Sequence, residues 1–235
     1  MTARHLLWIP VGAVVGFGAA YLFGDLLTLP VDLYYLIYFA AVIGFFAIYV
    51  KKTGLDLSAW ISRRLIRGLV LGLIVGLMML QNILSRPKTA PLGGAVLIWA
   101  LFWRGLIYGG VDGLLLFAFP WIVTWRALGG ERARAGRQII IAVIAWLMIL
   151  ITTTAYHLGY EDFRSPKIVQ PNIGSTITSL PTILSANPAA SVFSHLFLHV
   201  GAVIHCPDTE LFLPPHREEP VEISTIHDQG KQKGE

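Results

Sequence analysis

The chain has 235 residues, of which 55% are hydrophobic and 14% charged, with a formal net charge of +4. Soluble domains carry about 25% charged residues, so this composition, with a mean hydropathy of +0.64, excludes an ordinary soluble domain. The single Cys206 excludes a disulfide framework and a four-cysteine metal site. The apolar residues fall in blocks of about 20, the length that crosses a hydrocarbon core of about 30 Å. The sequence therefore predicts an all-α polytopic membrane bundle.

Residues 6–23 read as a retained first span rather than a signal peptide, because no cleavage site leads into a soluble domain. A second span, 33–50, stops at Lys51-Lys52. Residues 53–67 mix Trp60, Ile61 and Leu65 with three arginines, which suits a short amphipathic helix on a membrane surface. A third span, 68–84, ends at Arg86-Pro87. Residues 92–125 are too many for one upright helix. They are read as a half-inserted or tilted segment to Trp103 and a full span from Leu106. Two more spans, 139–157 and 189–205, flank a proline-rich connection, 159–188, expected to cap the outer mouth of the bundle. Residues 206–235 form a polar tail with 3 basic and 7 acidic side chains, a docking segment for a protein partner. This gives about six spans plus a possible half-helix in a membrane domain of 1–205.

Ten basic residues, from Arg4 to Arg137, lie in loops on the N-terminal side, against four (Arg86, Lys88, Arg164, Lys167) on the other. The positive-inside rule then predicts a multi-pass protein with both termini cytoplasmic. The basic residues flank spans and have no stacking platform, so they point to lipid headgroups and not to nucleic acid.

Ionisable groups at membrane depth are costly, which makes them site candidates. Arg104, Tyr108 and Asp112 stand at i, i+4, i+8 on one helical stripe. Their spacing predicts mutual neutralisation of Arg104 and Asp112, unless another cation claims the carboxylate. Thr153 and His157 are also four apart, followed by Glu161 and Asp162 in a polar turn. His195 and His199 project from one face of the last span, at the spacing by which two helical histidines chelate a metal. If that span enters from the outside near Ala189, His195 lies about 9 Å deep and His199 about 15 Å. His157, His195 and His199 can then converge as ligands of a zinc ion, with Asp112 and Thr153 as catalytic groups beside it.

This constellation resembles that of the CREST-type membrane hydrolases, the alkaline ceramidase and adiponectin-receptor group. Those combine a hydroxyl residue one turn before a histidine, an aspartate on another span, and a His-x-x-x-His on the last span. The matching positions are Thr153 with His157, then Asp112, then His195 with His199. Here Asp112 precedes His157, whereas in that group the aspartate follows, and six spans are expected rather than seven. The resemblance implies a zinc-dependent hydrolase of a lipid or membrane-borne substrate. CAAX-protease-like peptidases are a poorer comparison: the only Glu-Glu is Glu218-Glu219 in the tail, and Phe197 stands where their histidine would follow Phe193. Three other readings stay open on the sequence: a carrier lined by Arg104, Asp112 and the histidines, a haem protein with His157 and His199 as axial ligands, and a non-catalytic accessory subunit.

Overall fold

The computed structural model describes residues 3–207. Helices account for nearly all of them, with no strand among the described residues. They are α1 (Arg4–Leu26), α2 (Val31–Thr53), the short α3 (Leu57–Ser62), α4 (Leu65–Leu84), α5 (Gly94–Ala127), α6 (Ala135–Leu158), α7 (Val169–Ser185) and α8 (Ala189–His205). Five of these, α1, α2, α4, α5 and α6, are long and apolar enough to cross a membrane; α8 is apolar but shorter. Their outward faces carry exposed Leu, Ile and Val, among them Val14, Ile66, Val70, Ile139 and Ile140. This is the surface a lipid solvent selects.

The core forms where α2 meets α5. On α2, Tyr34, Tyr35, Tyr38, Phe39, Val42, Phe45, Phe46 and Tyr49 are all buried, the three-and-four spacing of one helical face. Their rings pack on α5: Phe39 on Trp103, Tyr35 on Tyr108, and Phe45 and Tyr49 on Phe119.

Residues 94–127 are not a half-helix followed by a span. They form one continuous helix of 34 residues, with 78% of its most apolar stretch buried. At 1.5 Å per residue it is about 51 Å long, well beyond a bilayer core of about 30 Å, so it can cross only with tilt or with ends in the interface. Two wide π-helical stretches, Leu101–Tyr108 and Leu114–Ala118, bracket the regular turn Gly109–Gly113. Such turns are rare and cluster at functional sites.

The segment 159–188 is not a capping loop. It holds α7, a 17-residue helix packed antiparallel to α6. Thr154 donates to Asn172 at 2.9 Å near one end, and Trp146 donates to Thr176 at 3.4 Å further along. The far end of α7 reaches the start of α4: Arg64 donates to the Ser185 carbonyl at 3.4 Å, and Asn187 donates to the carbonyls of Ile61 and Arg63 at 2.8 and 2.7 Å. The helix after it, α8, therefore begins beside Arg63 and runs parallel to α4. It ends where His205 Nε2 donates to the Arg86 carbonyl at 2.9 Å.

This reverses the expected direction of the last helix. Its first residues sit at the end of the bundle that holds Lys51, Lys52 and Arg126, and His205 sits at the opposite end. His5 meets Tyr49 at 2.9 Å, so the start of the described chain lies at the Lys51 end. The two ends of the described chain thus lie at opposite ends of the bundle. The tail expected at 206–235 lies, from residue 208 on, outside the described residues.

Two glycine stripes position α8. On α4, Gly68, Gly72 and Gly76 lie against Ala190, Phe193 and Phe197; on α5, Gly105, Gly109 and Gly113 lie against Val200, His199 and Val192. Small residues at every fourth position let helices approach to backbone contact, the main source of helix affinity in lipid.

Two outcomes follow. A methyl group at Gly72 would stand 2.7 Å from the Ala190 carbonyl oxygen. Gly72→Ala should therefore cost about 1–3 kcal/mol, measured as a lower unfolding temperature in detergent. Cysteines placed at Lys51 and Arg134 should react with an impermeant maleimide from one face of the membrane, and cysteines at Lys88 and Lys167 from the other. A label attached after His205 should behave like Lys88, and one that behaves like Lys51 would contradict the direction of α8.

Candidate metal centre

Asp112 lies on the regular turn between the two π-helical stretches of α5 and is 3% exposed. Its oxygens have different partners. The Tyr38 hydroxyl on α2 donates to Oδ1 at 2.7 Å. Oδ2 is 2.9 Å from His195 Nε2 and 3.9 Å from His199 Nε2. The two Nε2 atoms are 3.0 Å apart, with the rings at 80° to each other.

Three lone-pair atoms therefore meet at one point. A neutral imidazole has one N–H and one lone pair. If His195 Nε2 carries its proton to Oδ2, it has no lone pair left for His199. If it offers its lone pair to His199, Asp112 Oδ2 loses its donor. One proton cannot satisfy both short contacts, whereas a cation at their centre can. The separations of 2.9, 3.0 and 3.9 Å bracket about 3.4 Å, the spacing of ligands around a tetrahedral ion with bonds of about 2.1 Å. The buried Asp112, His195 and His199 can hold a metal ion. The Nδ1 atoms of both histidines are buried without a hydrogen-bond partner among the described residues, so Nε2 is the only polar contact of either ring.

The site opens onto a cavity of about 470 Å³ between α4, α5, α6, α7 and α8. Tyr108, Tyr156, His157 and Tyr160 line it together with Asp112 and the two histidines. Tyr108 and Tyr156 hydroxyls are 2.6 Å apart, Tyr156 and Tyr160 are 3.0 Å apart, and Tyr34 closes the cluster against Tyr160. Tyr108 also sets its ring edge-to-face with His199, centroids 4.9 Å apart. Phe117 does the same for His195 at 5.1 Å. These contacts fix both imidazole planes.

Of the candidates from the sequence, Asp112, His195 and His199 come together. Asp112 sits among the possible ligands rather than beside a three-histidine site. His157 does not join the group. It donates from Nδ1 to the Thr153 carbonyl one turn back, at 2.9 Å, and forms part of the cavity wall. Thr153 is fully buried, its hydroxyl makes no hydrogen bond among the described residues, and it does not line the cavity. Arg104 does not neutralise Asp112; it lies 3.5 Å from Asp32 at the start of α2. Glu161 stays exposed in a short turn, its backbone N–H held by Asp25 at 2.9 Å.

Of the tyrosines around the site, Tyr108 stands on the stripe singled out from the sequence, whereas Tyr34 and Tyr38 were missed. Their signal was there: Tyr34 and Tyr38 stand four apart in a span, and Tyr156 and Tyr160 four apart at the end of another. Phenol hydroxyls inside an apolar bundle need partners, so repeated tyrosines at helical spacing point to a shared polar pocket.

The chain matches no family model, no curated protein and no solved structure. The reading of this site rests on its own residues.

Tyr38→Phe tests the carboxylate's surroundings. The ring stays and the donor goes, leaving Oδ1 buried without its hydrogen bond. The expected cost is about 1–3 kcal/mol, seen as a lower unfolding temperature of chelator-treated protein. An unchanged temperature would mean that Oδ1 is satisfied by another group.

Proposed function

We propose that the protein is an intramembrane zinc-dependent hydrolase acting on a lipid or another membrane-borne substrate. The observation that carries this reading is the convergence of Asp112 Oδ2, His195 Nε2 and His199 Nε2 at the wall of a cavity. Two histidines and a carboxylate are a ligand set that zinc favours, and catalytic zinc sites use three protein ligands and keep a fourth position open. Bound there, zinc would polarise a carbonyl or phosphoryl group and ease the deprotonation of water.

The chain's own residues supply the rest. Tyr38 holds Oδ1 and so aims Oδ2 at the histidines, the kind of outer support that tunes a metal site. His157 gives its Nδ1–H to a carbonyl, and a carbonyl can only accept. Neutral His157 therefore keeps its lone pair on Nε2, where it can take a proton from water in the cavity. The hydroxyls of Tyr108 and Tyr156 line the same space and can donate to an oxygen on which negative charge develops.

The ten-to-four asymmetry of basic residues supports a cytoplasmic Lys51 end. The cavity, near the Arg86 end, then lies in the outer half.

Metal analysis of the purified full-length protein tests the reading. Zinc should bind at about one ion per chain, in keeping with a single three-ligand site. His195→Ala and His199→Ala should abolish binding, and Asp112→Asn should weaken it. His157→Gln should retain the metal and lose hydrolysis. Wild-type protein that takes no zinc, or histidine variants that take as much as wild type, would overturn the proposal.

A further inference from the structure

The cavity has a mouth with two different halves. Met78 on α4 and Ile173 on α7 line it, and each is 57% exposed on the outer surface of the bundle. A side chain that belongs both to a cavity wall and to the lipid-facing surface marks an opening. This one lies between α4 and α7. At their other ends these helices are tied together, where Arg64 and Asn187 bond across the gap, and the mouth lies toward the Arg86 end. There the lining turns polar, with exposed Asn82, Arg86 and Gln170. The apolar half faces the bilayer flank and the polar half faces the interface.

Arg86 is held in place and available. Its carbonyl accepts from His205, and Thr89 N–H donates to the His205 carbonyl at 3.2 Å. The segment after α4 is thereby fastened to the end of α8. The Arg86 guanidinium makes no ion pair among the described residues, whereas Arg164 at the same end is engaged by Asp25 at 2.9 Å. A cation at a polar rim above an apolar slot matches a molecule with an anionic head and a hydrocarbon chain. The volume of about 470 Å³ lies within the range of about 300–1,000 Å³ usual for ligand pockets.

We infer that the cavity admits an anionic membrane lipid sideways between α4 and α7, with its headgroup charge at Arg86 and its chain leaving past Met78 and Ile173. This rests on the hydrolase reading only for what happens to the lipid once bound; the binding itself does not need the metal.

The test is lipid binding to the full-length detergent-purified protein, followed by native mass spectrometry. The probes are dioleoyl-phosphatidylglycerol and dioleoyl-phosphatidylcholine. The wild type should prefer the anionic lipid. Arg86→Gln should lower that preference about fivefold, the ratio equivalent to ~1 kcal/mol for one surface cation. Arg86→Lys should keep most of it, and Lys88→Gln should leave it unchanged. Met78→Trp and Ile173→Trp should weaken both lipids by narrowing the mouth. Equal binding of the two lipids by the wild type, or an equal loss in Lys88→Gln and Arg86→Gln, overturns the headgroup assignment. Full binding in both tryptophan variants overturns the lateral opening. Asp112→Asn separates the two proposals, because it should weaken zinc binding and still select phosphatidylglycerol. Wild type that binds this lipid but no zinc refutes the hydrolase alone, and wild type that binds zinc without lipid preference refutes the lipid site alone.

Discussion

A carboxylate inside an apolar bundle has to be compensated, and the architecture around Asp112 follows from that constraint. An unpaired charge in a low-dielectric interior costs far more than any single packing contact returns. The bundle meets this with Tyr38 donating to Oδ1 and with His195 and His199 gathered at Oδ2. Both partners come from other helices, so α2, α5 and α8 must meet at one depth. The buried tyrosine face of α2 and the two glycine stripes beside α8 are what allow that meeting. The polar centre and the close packing are thus one arrangement: a bulkier residue at Gly109 would press on the His199 ring and so act on the site from a position with no chemistry of its own.

Much of this was legible in the residues. Apolar blocks of span length gave the class, and the four-residue spacing of His195 and His199 gave the face they share. Asp112 stood out as the only acid within a span. What stayed hidden has a physical cause. Hydropathy detects helices that are apolar throughout, but the face α7 turns to α4, α6 and α8 is polar. Its Ser175, Thr178, Ser179, Thr182 and Ser185 are buried; Ser179 donates to the Thr176 carbonyl and Ser185 to that of Pro181, while Thr182 accepts from the Ser191 N–H of α8. Pro181 sits inside the helix, and four prolines between 166 and 188 read as a loop.

Missing one helix had a leveraged effect. It inverted the next one, and with it the depths assigned to His195 and His199. The pairing of those residues survived because i, i+4 geometry does not depend on which way a helix points. His157, expected as a third ligand, lines the same cavity but bonds the Thr153 carbonyl one turn back. Arg104 illustrates the same limit: its spacing from Asp112 was correct, but the acid it meets is Asp32 on another helix. Spacing within a helix fixes direction on a face; it cannot choose among partners supplied by the fold.

The wide turns of α5 carry a consequence for the phase of that helix. Each residue of a regular helix advances the side-chain direction by about 100°. A π-helical stretch carries extra residue length within the same run of turns, so it resets the facing of everything that follows. The stretch Leu101–Tyr108 lies before Asp112 and Leu114–Ala118 lies after it. The first therefore sets where the carboxylate faces relative to the upper helix, and the second returns the lower helix to a registry in which Phe119 and Trp121 meet the core. Shortening the first stretch by one residue would turn Asp112 away from His195 while leaving every side chain in the bundle present. In this chain, the aim of the central carboxylate is written in backbone length as much as in residue identity.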